Sequence, residues 1–440
     1  MPALLTEPYL LDPGRGRVRV VWFTGEAGGP HVVELGDGRR IEARTAVVRV
    51  LRDDEGVRTT VFRHAAQLPG LGAQRIPYRV RSGSGASGRH TLRGAVPAGE
   101  PVRLLLTSDH QLKPMVAANI EAAASTLGMQ LDGVLFAGDL VNVPDRASDW
   151  FSRPRAFFRV LGGRADAPLH GRAYRGAPLL SHAPLYPAIG NHEVMGRRPG
   201  LVSLDALFDD PAPDAWDTVA YDALFGLPRW WSRTIGDVFL VSLFAARAWR
   251  SESDTYAGSD GQFLFEPIHS GSRQHGFLAA TLATPRARAA RFRVVLLHHA
   301  WHGLGAHVVP PFASPVRVGT RWAYPAERDQ LLHDLEPLLS TAGVHLVLAG
   351  HSHLWNRFRN AAGVHFLETS NVGNTYGAFP ERGDPGGLQP LAPPLASDEV
   401  TAFSLLDSAA GVVRSWRFDT RDPACDAQLF DEFPLRGGAG

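Results

Sequence analysis

The stretch Val347-Leu348-Ala349-Gly350-His351-Ser352-His353 decides the fold prediction for this chain of 440 residues. An apolar, strand-like run ends in Gly350, and two histidines follow with one residue between them. In an α/β protein, the side chains that follow a strand lie at the carboxyl edge of the sheet, where ligands bind. The stretch therefore predicts two imidazoles that face a common site at the end of a buried strand.

Four other apolar runs also end in residues that carry oxygen or nitrogen ligands, at 104–109, 134–139, 188–193 and 294–299. One ligand cluster explains five such strand ends better than five coincidences do. Carboxylate, amide oxygen and imidazole are the mixture expected for a mid-row or hard divalent metal. Two metals can clamp the attacking and leaving oxygens of a phosphoryl displacement. Because Gly138 allows close backbone approach, Asp139 is the candidate for a bridging carboxylate, and the pattern predicts a two-metal hydrolase.

The bulk composition describes a soluble globular protein, with 44% hydrophobic and 20% charged residues. The length favours two domains. A net charge of +1 argues against a broad nucleic-acid surface, and the single cysteine, Cys425, excludes an intramolecular disulfide. We find neither a signal-like N-terminus nor an apolar run of about 20 residues that could span a membrane, so we expect a cytoplasmic protein. The sequence leaves the oligomeric state open.

The pattern of the chain changes near residue 99. Strand-like segments such as 18–24 and 78–82 are separated by Gly-rich turns, which predicts a small β-sandwich over residues 1–99. Beyond this point, apolar strands alternate with helix-like segments such as 115–127, which indicates βαβ units. The stretch 146–187 is rich in Arg, Pro, Gly and Ala, and we expect it to be an insertion or lid over the site.

Taken together, the five motifs resemble those of the calcineurin-like metallophosphoesterases. The form Gly190-Asn191-His192-Glu193, the run 295–298 and the N-terminal β segment are most similar to the purple acid phosphatase branch. That branch places a fibronectin-III-like sandwich before its catalytic domain. The resemblance implies an all-β sandwich at 1–99, followed at 100–440 by an α/β metallophosphoesterase domain of two packed mixed β-sheets flanked by helices.

The resemblance also implies a role for each ligand position. The implied ligands are Asp109 and His353 for the first metal, Asp139 as the bridge, and Asn191, His298 and His351 for the second metal. Because the first of two adjacent histidines is the ligand in the family, His298 is preferred to His299. His192 is implied to face the phosphate, as a transition-state stabiliser or a proton donor.

Two positions depart from the family pattern. Asn142 stands where the purple enzymes have Tyr, and Gln111 stands where other metallophosphoesterases have His, with His110 one residue early. The first metal therefore loses a phenolate or an imidazole, and these three residues become candidates for a ligand or a supporting contact. Without phenolate a ferric ion loses a strong anionic partner, so we expect two divalent ions, with Mn²⁺ favoured and Fe or Zn as alternatives.

The implied reaction is hydrolysis of a small phosphomonoester by a metal-bound hydroxide that attacks in line. A phosphodiesterase of the same superfamily is one alternative, since both substrate classes use the same centre. A metal-binding protein that kept the fold and turns over weakly is the other, and only Gln111 and Asn142 favour it. His302 and Arg197 are candidates for substrate contact, although a solvated arginine is the commoner case. The sequence does not name the natural substrate.

Overall fold

The structure is a computed structural model that describes residues 4–12, 14, 17–194, 218–250, 262–304, 311–319, 321–369, 371–373 and 383–435. Its N-terminal strands are β1 (Tyr9–Leu11), β2 (Val18–Thr24), β3 (His31–Leu35), β4 (Arg40–Glu42), β5 (Arg44–Val48), β6 (Val61–Leu68), β7 (Ile76–Ser82), β8 (Gly85–Ala86) and β9 (His90–Leu92). Arg197, a predicted substrate contact, lies outside the described residues.

The remaining strands follow the predicted boundary. They are β10 (Arg103–Thr107), β11 (Gly133–Phe136), β12 (Ala167–Leu169), β13 (Arg172–Tyr174), β14 (Pro184–Pro187), β15 (Trp231–Ile235), β16 (Val238–Ser242), β17 (Arg247–Arg250), β18 (Gln262–Phe265), β19 (Phe292–Leu296), β20 (Val316–Val318), β21 (Arg321–Ala323), β22 (Leu346–Ala349), β23 (Trp355–Arg359), β24 (His365–Thr369), β25 (Val400–Asp407), β26 (Val412–Asp419) and β27 (Gln428–Pro434). The helices are α1 (Val116–Leu127), α2 (Ala147–Phe151), α3 (Phe157–Val160), α4 (Val219–Phe225), α5 (Arg273–Leu282), α6 (Pro285–Ala289) and α7 (Glu336–Thr341).

Two mixed sheets form the centre of the molecule. Sheet one has ten strands in the order β27-β26-β25-β10-β11-β14-β1-β2-β6-β5, and sheet two has six in the order β15-β16-β19-β22-β24-β23. An apolar layer packs between them, with Leu104 and Leu135 on one side and Val294 and Leu348 on the other, all fully buried. The predicted pair of packed mixed sheets is therefore confirmed.

Helices cover the outer faces of both sheets. The helix α1 begins after Met115 and ends at Gly128, whose N–H donates to the Ala124 carbonyl and whose φ of 74° favours glycine. Its buried residues include Val116, Ile120, Ala123 and Leu127, an i, i+3, i+4 pattern that presents one apolar face to sheet one. The helices α5, α6 and α7 contribute to a second apolar cluster against sheet two. Strands buried on both faces read as continuous apolar runs, which is why β10 and β22 were recognisable from the sequence.

The N-terminal strands extend the central sheet. The strand β1 pairs in parallel with β14 and antiparallel with β2, so β1, β2, β5 and β6 belong to sheet one. A third sheet, β4-β3-β7-β8 with β9 beside β7, packs on them through Trp22, Val33 and Val80. Side chains also cross the predicted boundary, since Tyr9 Oη donates to the Leu224 carbonyl at 2.6 Å. The fibronectin-III-like character and the division at residue 99 stay predictions.

We expect from the sequence that the stretch 146–187 is an insertion or lid over the site rather than core, and this expectation is wrong. It contributes α2, α3 and the strand β14, which lies inside sheet one between β11 and β1. Trp150, Phe157 and Phe158 are buried in the cluster under that sheet. The expectation is based on the average Arg and Pro content. The position of the stretch is instead determined by these few aromatic residues. Among the described helices, none is both long and apolar enough to cross a membrane.

Candidate metal centre

The predicted ligands follow the carboxyl ends of five strands. In sheet one β10, β11 and β14 run parallel to one another, and in sheet two β19 and β22 do so. The loops that leave these strands meet between the two sheets. They carry Asp109, Asp139, Asn191, His298 and the pair His351 and His353.

The backbone of these loops is held in an unusual conformation. Among the described residues, seven non-glycine residues have a positive φ, and six of them are in these loops. They are Asp109 (53°), Gln111 (41°), Leu112 (55°), Asp139 (57°), His351 (82°) and His353 (57°). A non-glycine residue with such a φ costs of order 1–3 kcal/mol and is found where function requires it. Strain that is concentrated in one place supports a functional site at these strand ends.

Two glycines allow the loops to approach one another. A Cβ atom on Gly350 would collide with Ser108 Oγ and Asp109 Oδ2. At Gly138, where φ is 90°, a Cβ would lie 2.8 Å from His298 Nδ1. Any larger residue at either position would push the carboxylates and the imidazole apart.

Four donor atoms converge on one half of the centre. Asn191 Oδ1 lies 3.1 Å from His298 Nε2 and 3.0 Å from His351 Nδ1. Asp139 Oδ2 lies 3.3 Å from the same His298 Nε2. Ligand atoms that share one ion at about 2.0–2.2 Å lie about 3 Å apart. These four residues thus have the spacing and chemistry of one metal site.

The other half of the centre is built around Asp109. Its Oδ1 atom lies 3.8 Å from His353 Nε2 and 4.0 Å from His298 Nε2. The backbone N–H of His351 donates to both carboxylate oxygens, at 3.0 and 2.9 Å. Gln111 Nε2 donates to Asp139 Oδ2 at 2.6 Å, while Gln111 Oε1 is buried without a partner. A buried amide oxygen normally has a hydrogen-bond partner. A cation bound between the two carboxylates would supply the missing partner for Gln111 Oε1.

The protonation of His298 is fixed by a backbone group. His298 Nδ1 lies 2.7 Å from the carbonyl oxygen of Ala137. A carbonyl can only accept, so Nδ1 carries the proton and Nε2 faces the carboxylates and Asn191. Such a partner on the remote nitrogen sets the tautomer of a metal-binding histidine.

The electrostatics of the cluster favour added positive charge. Burial raises the pKa of Asp109 to about 7. The negative charge of Asp139 also raises it, whereas the positive charge of His298 lowers it. Burial also opposes ionisation of Asp139 and His298, but the pair ionises together. The positive His298 lowers the pKa of Asp139, and the Asp139 carboxylate raises the pKa of His298 to about 10. A divalent cation would supply the same positive charge and release the proton from Nε2.

Glu193 is a functional residue that sequence reasoning missed. Its carboxylate is fully buried and accepts three backbone N–H groups, from Gly190, Asp139 and Leu140, each at 2.8 Å. It thereby joins the loop of Asn191 to the loop of Asp139. The available signal was its place in the run 190–193, but its partners at 139 and 140 are distant in the sequence.

Glu368, at the end of β24, supports the loop of the histidine pair in a similar way. It is buried, and its Oε1 atom accepts Ser352 Oγ at 2.7 Å. Asn356 Nδ2 donates to its other oxygen. Because Ser352 lies between His351 and His353, this contact holds the loop that carries both imidazoles. No sequence motif pointed to Glu368.

His192 lies at the accessible side of the cluster. Its side chain is 37% exposed, and its Nδ1 atom lies 2.7 Å from the carbonyl oxygen of Asn142. The proton is therefore on Nδ1, and Nε2 lies on the side of Asp139, 4.0 Å from Oδ2. The structure thus brings His192 to the rim of the cluster, and Asn142 reaches it through the backbone while remaining exposed.

The structure does not bring every candidate to the centre. His110 packs against Phe136 and lies 3.3 Å from Thr107 Oγ1, so its ring is directed into the core. His302 is 3% exposed, and both ring nitrogens are taken, by Asp384 Oδ2 at 2.9 Å and Glu336 Oε2 at 3.0 Å. It joins the start of α7 to the segment that carries Asp384, and neither ring nitrogen is left for a substrate. The rings of His299 and His351 pack at a tilt of 36° with their centroids 3.9 Å apart, which makes His299 a close neighbour of the cluster.

The donor set therefore fits metal ions. One group that could hold an ion consists of Asp109, Asp139 and His298, and a second consists of His298, His299 and His351. The second group includes His299, which the sequence prediction placed outside the ligands. Both His298 and His299 can therefore reach an ion that His351 binds.

Comparison with known proteins identifies the fold. The chain is similar to the solved "Structure of PhoD" with a TM-score of 0.52 and 12% identity, over 99% of this chain and 93% of that one. At this identity the likeness shows the fold alone, and at that level the predicted resemblance is confirmed. An amylomaltase from Corynebacterium glutamicum is similar over only 28% of this chain, with a TM-score of 0.14 and 11% identity, and carries no argument. No protein-family model and no curated protein matches the sequence.

Proposed function

We propose that the chain is a phosphomonoesterase that works with two divalent metal ions. One observation carries the proposal: two buried carboxylates, an amide oxygen and three imidazoles converge at the strand ends of a PhoD-like fold. This set of ligands prefers divalent ions such as Mn²⁺, with Fe or Zn as alternatives. When bound, two such ions would activate water and neutralise charge on the phosphoryl oxygens.

In this proposal, each residue of the cluster has a definite task. Asp139 lies between the two halves and would hold both ions. Asp109 and His353 would hold the first, and Asn191, His298 and His351 the second. In place of a phenolate, Gln111 Oε1 would offer the first ion a neutral oxygen, which requires the side chain to release Asp139 or to rotate. A centre with two carboxylates and two divalent ions stays positive overall, which favours a phosphate anion.

His192 would act on the substrate. The carbonyl of Asn142 holds Nδ1–H, which leaves Nε2 to face the reacting phosphate. When protonated, Nε2 can stabilise the charge that develops on the phosphoryl oxygens or give its proton to the leaving oxygen. Positioned general acids typically contribute about 10²–10⁴-fold.

One contact favours a second candidate, a metal-binding protein of weak activity. Gln111 Nε2 donates at 2.6 Å to Asp139 Oδ2, the oxygen that also faces His298. If the amide stayed there, it would compete with a bridging ion. The first metal would then bind weakly, although the second half of the centre is complete.

The test is hydrolysis after metal removal and return. Purified protein is stripped of metal, reloaded with Mn²⁺, Fe²⁺ or Zn²⁺, and assayed with 4-nitrophenyl phosphate and bis(4-nitrophenyl) phosphate. We expect metal-dependent hydrolysis of the monoester, which is lost in Asp109→Asn and kept in Asp426→Asn, an exposed control. Faster hydrolysis of the diester would assign the phosphodiesterase alternative. Bound metal without any hydrolysis would favour the weakly active candidate.

A further inference from the structure

Arg247, the first residue of β17, is a buried arginine with no ionic partner at its fork. It is 2% exposed. Its Nη1 atom reaches the Pro311 carbonyl at 3.4 Å, but Nε and Nη2 are buried and have no hydrogen-bond partner. In the described part of the chain no carboxylate forms an ion pair with it. A buried charge is costly unless it is paired, so an arginine in this state calls for an anion.

Asp329, the described carboxylate whose charge acts on Arg247, does not supply that anion. The charge of Asp329 acts on Arg247 from a distance. Its oxygens, however, accept backbone N–H groups, Oδ1 from Leu331 at 2.8 Å and Oδ2 from Phe312 at 3.3 Å. Asp329 is therefore engaged in holding its own turn.

Arg247 lies beside the half of the metal centre that contains His351. The guanidinium carbon is 4.6 Å from the ring centroid of Phe312, and that ring lies 5.9 Å from His299. The His299 ring in turn packs against the His351 ring, and the backbone N–H of His299 donates to the Ala245 carbonyl, two residues before Arg247. Burial, and after it positive neighbours that include Arg247, lowers the pKa of His351. The arginine is thus within electrostatic reach of the proposed second metal site.

The two unpartnered atoms have the geometry of a recognition fork. Nε and one Nη of a guanidinium lie on a single edge and donate two parallel hydrogen bonds to the two oxygens of a phosphate or carboxylate. His299 Nδ1 and His351 Nε2 are also buried without a partner on this side of the cluster. Arg247, Phe312, His299 and His351 pack in one continuous series. Unpartnered nitrogens on three residues of such a series are more readily explained by a bound ligand than by separate packing faults.

We propose that Arg247 binds an oxyanion of the substrate side-on through Nε and Nη2. The inference rests on the proposed function in one respect, since the oxyanion is taken to belong to a phosphoester. The oxyanion is either the phosphoryl group that is cleaved or a second acidic group on the same molecule. In either case Arg247 determines which substrates bind.

The first experiment measures phosphate binding without turnover. Inorganic phosphate is titrated into the metal-loaded and the metal-free protein, and the midpoint of thermal stabilisation is compared for wild type, Arg247→Met and Arg247→Lys. The matched control is Arg291→Met. Arg291 precedes β19, at the end of that strand away from His298, and its side chain is 52% exposed. We expect Arg247→Met to need at least about tenfold more phosphate, which corresponds to about 1.4 kcal/mol. Arg247→Lys should also bind more weakly, because an ammonium keeps the charge but lacks the fork.

The second experiment locates the anion on the substrate. KM and kcat are measured with phenyl phosphate and 4-carboxyphenyl phosphate. If the fork holds the cleaved phosphoryl group, Arg247→Met raises KM for both esters. If the fork holds a second acid, KM rises for the carboxylated ester alone. The binding titration is then repeated with benzoate in place of inorganic phosphate. The proposal is overturned if Arg247→Met binds phosphate and benzoate with wild-type affinity and leaves KM unchanged for both esters. Arg247→Lys is used for the same measurements if Arg247→Met does not fold.

The two proposals fail separately. If the protein hydrolyses no phosphoester but its affinity for phosphate depends on Arg247, the anion site stands and the proposed function falls. If phosphoesters are hydrolysed while anion binding and KM ignore Arg247, the anion site alone is wrong.

Discussion

Glu193 holds the backbone of Asp139: its Oε2 atom accepts the Asp139 N–H at 2.8 Å and the Gly190 N–H at the same distance. Asp139 has a φ of 57°, a conformation that needs support from its surroundings. The buried Glu193 carboxylate provides that support and sets where the Asp139 carboxylate points. One side chain thus couples the predicted bridge to the loop of Asn191.

Glu193→Gln should loosen both ligand loops. A carboxylate accepts three N–H groups here, whereas a glutamine must turn its own NH₂ group toward one of them. We expect a loss of stability of about 1–3 kcal/mol, the usual cost of an unsatisfied buried group. Metal affinity should fall by about 10–100-fold, as for other residues that orient ligands. Thermal unfolding and metal titration measure the two effects. Glu432→Gln, on a 46% exposed side chain, is the control, and equal values for both variants would contradict the role.

Asp139→Asn should separate metal binding from folding. The substitution removes the anionic charge that would hold two cations close together, while the size of the side chain is kept. We expect the affinity for at least one metal to drop by more than about 100-fold, beyond the effect of a residue that only orients ligands. Metal content after dialysis, circular dichroism and kcat are the measurements. A folded variant that keeps two metals and full activity would show that Asp139 does not bridge.

The sequence predicted the positions of the cluster because they depend on local patterns. A run of buried apolar residues followed by a polar residue marks the end of a strand. A Gly stands between the two at Asp139, Asn191 and His351, whereas Asp109 and His298 follow their strands without one. The parallel order of the strands then brings these ends together. That the assembled residues bind metal stays a prediction.

The sequence could not show the contacts that depend on distant pairing. The strand β1 joins sheet one beside β14, more than 170 residues later, and nothing local to Tyr9–Leu11 indicates that neighbour. Glu193 and Glu368 have partners on other loops, so their roles became visible only in three dimensions. The sequence could not show the carboxylate partners of His302 for the same reason, because they lie 34 and 82 residues away.

His192→Ala should keep the metals and lower kcat. The ring is at the rim of the cluster, where it can reach substrate, and its backbone N–H holds Asp139 Oδ1 at 2.9 Å in the variant as in wild type. The expected loss is about 10²–10⁴-fold. A smaller loss for aryl phosphates than for alkyl phosphates would assign proton donation, and an equal loss would assign electrostatic stabilisation. Wild-type kcat with both classes would remove His192 from the mechanism.

The active enzyme should be colourless. In the purple acid phosphatases that the sequence resembles, the colour depends on a tyrosine that binds ferric iron. Asn142 stands at that position here, with an exposed side chain. The visible spectrum of the active, metal-loaded protein should therefore lack an intense charge-transfer band. Asn142→Tyr reconstituted with ferric iron offers the matched test, because a phenolate at this position should introduce the band. An intense visible band in the active wild type would contradict the assignment.

His302 should make the loop contacts of Glu336 and Asp384 dependent on pH. Burial alone would lower its pKa, but hydrogen bonds to the two carboxylates raise it to about 9. An unfolded histidine has a pKa of about 6.5. Because the folded value is higher, the stabilisation is fully present below about pH 6.5 and is lost as the pH rises through about 9. His302→Gln should therefore unfold at a lower temperature than wild type at pH 6, with the difference shrinking by pH 10. His269→Gln, at an exposed histidine, should show neither effect. A difference that stays constant across this range would mean that the charge on His302 does not stabilise the fold.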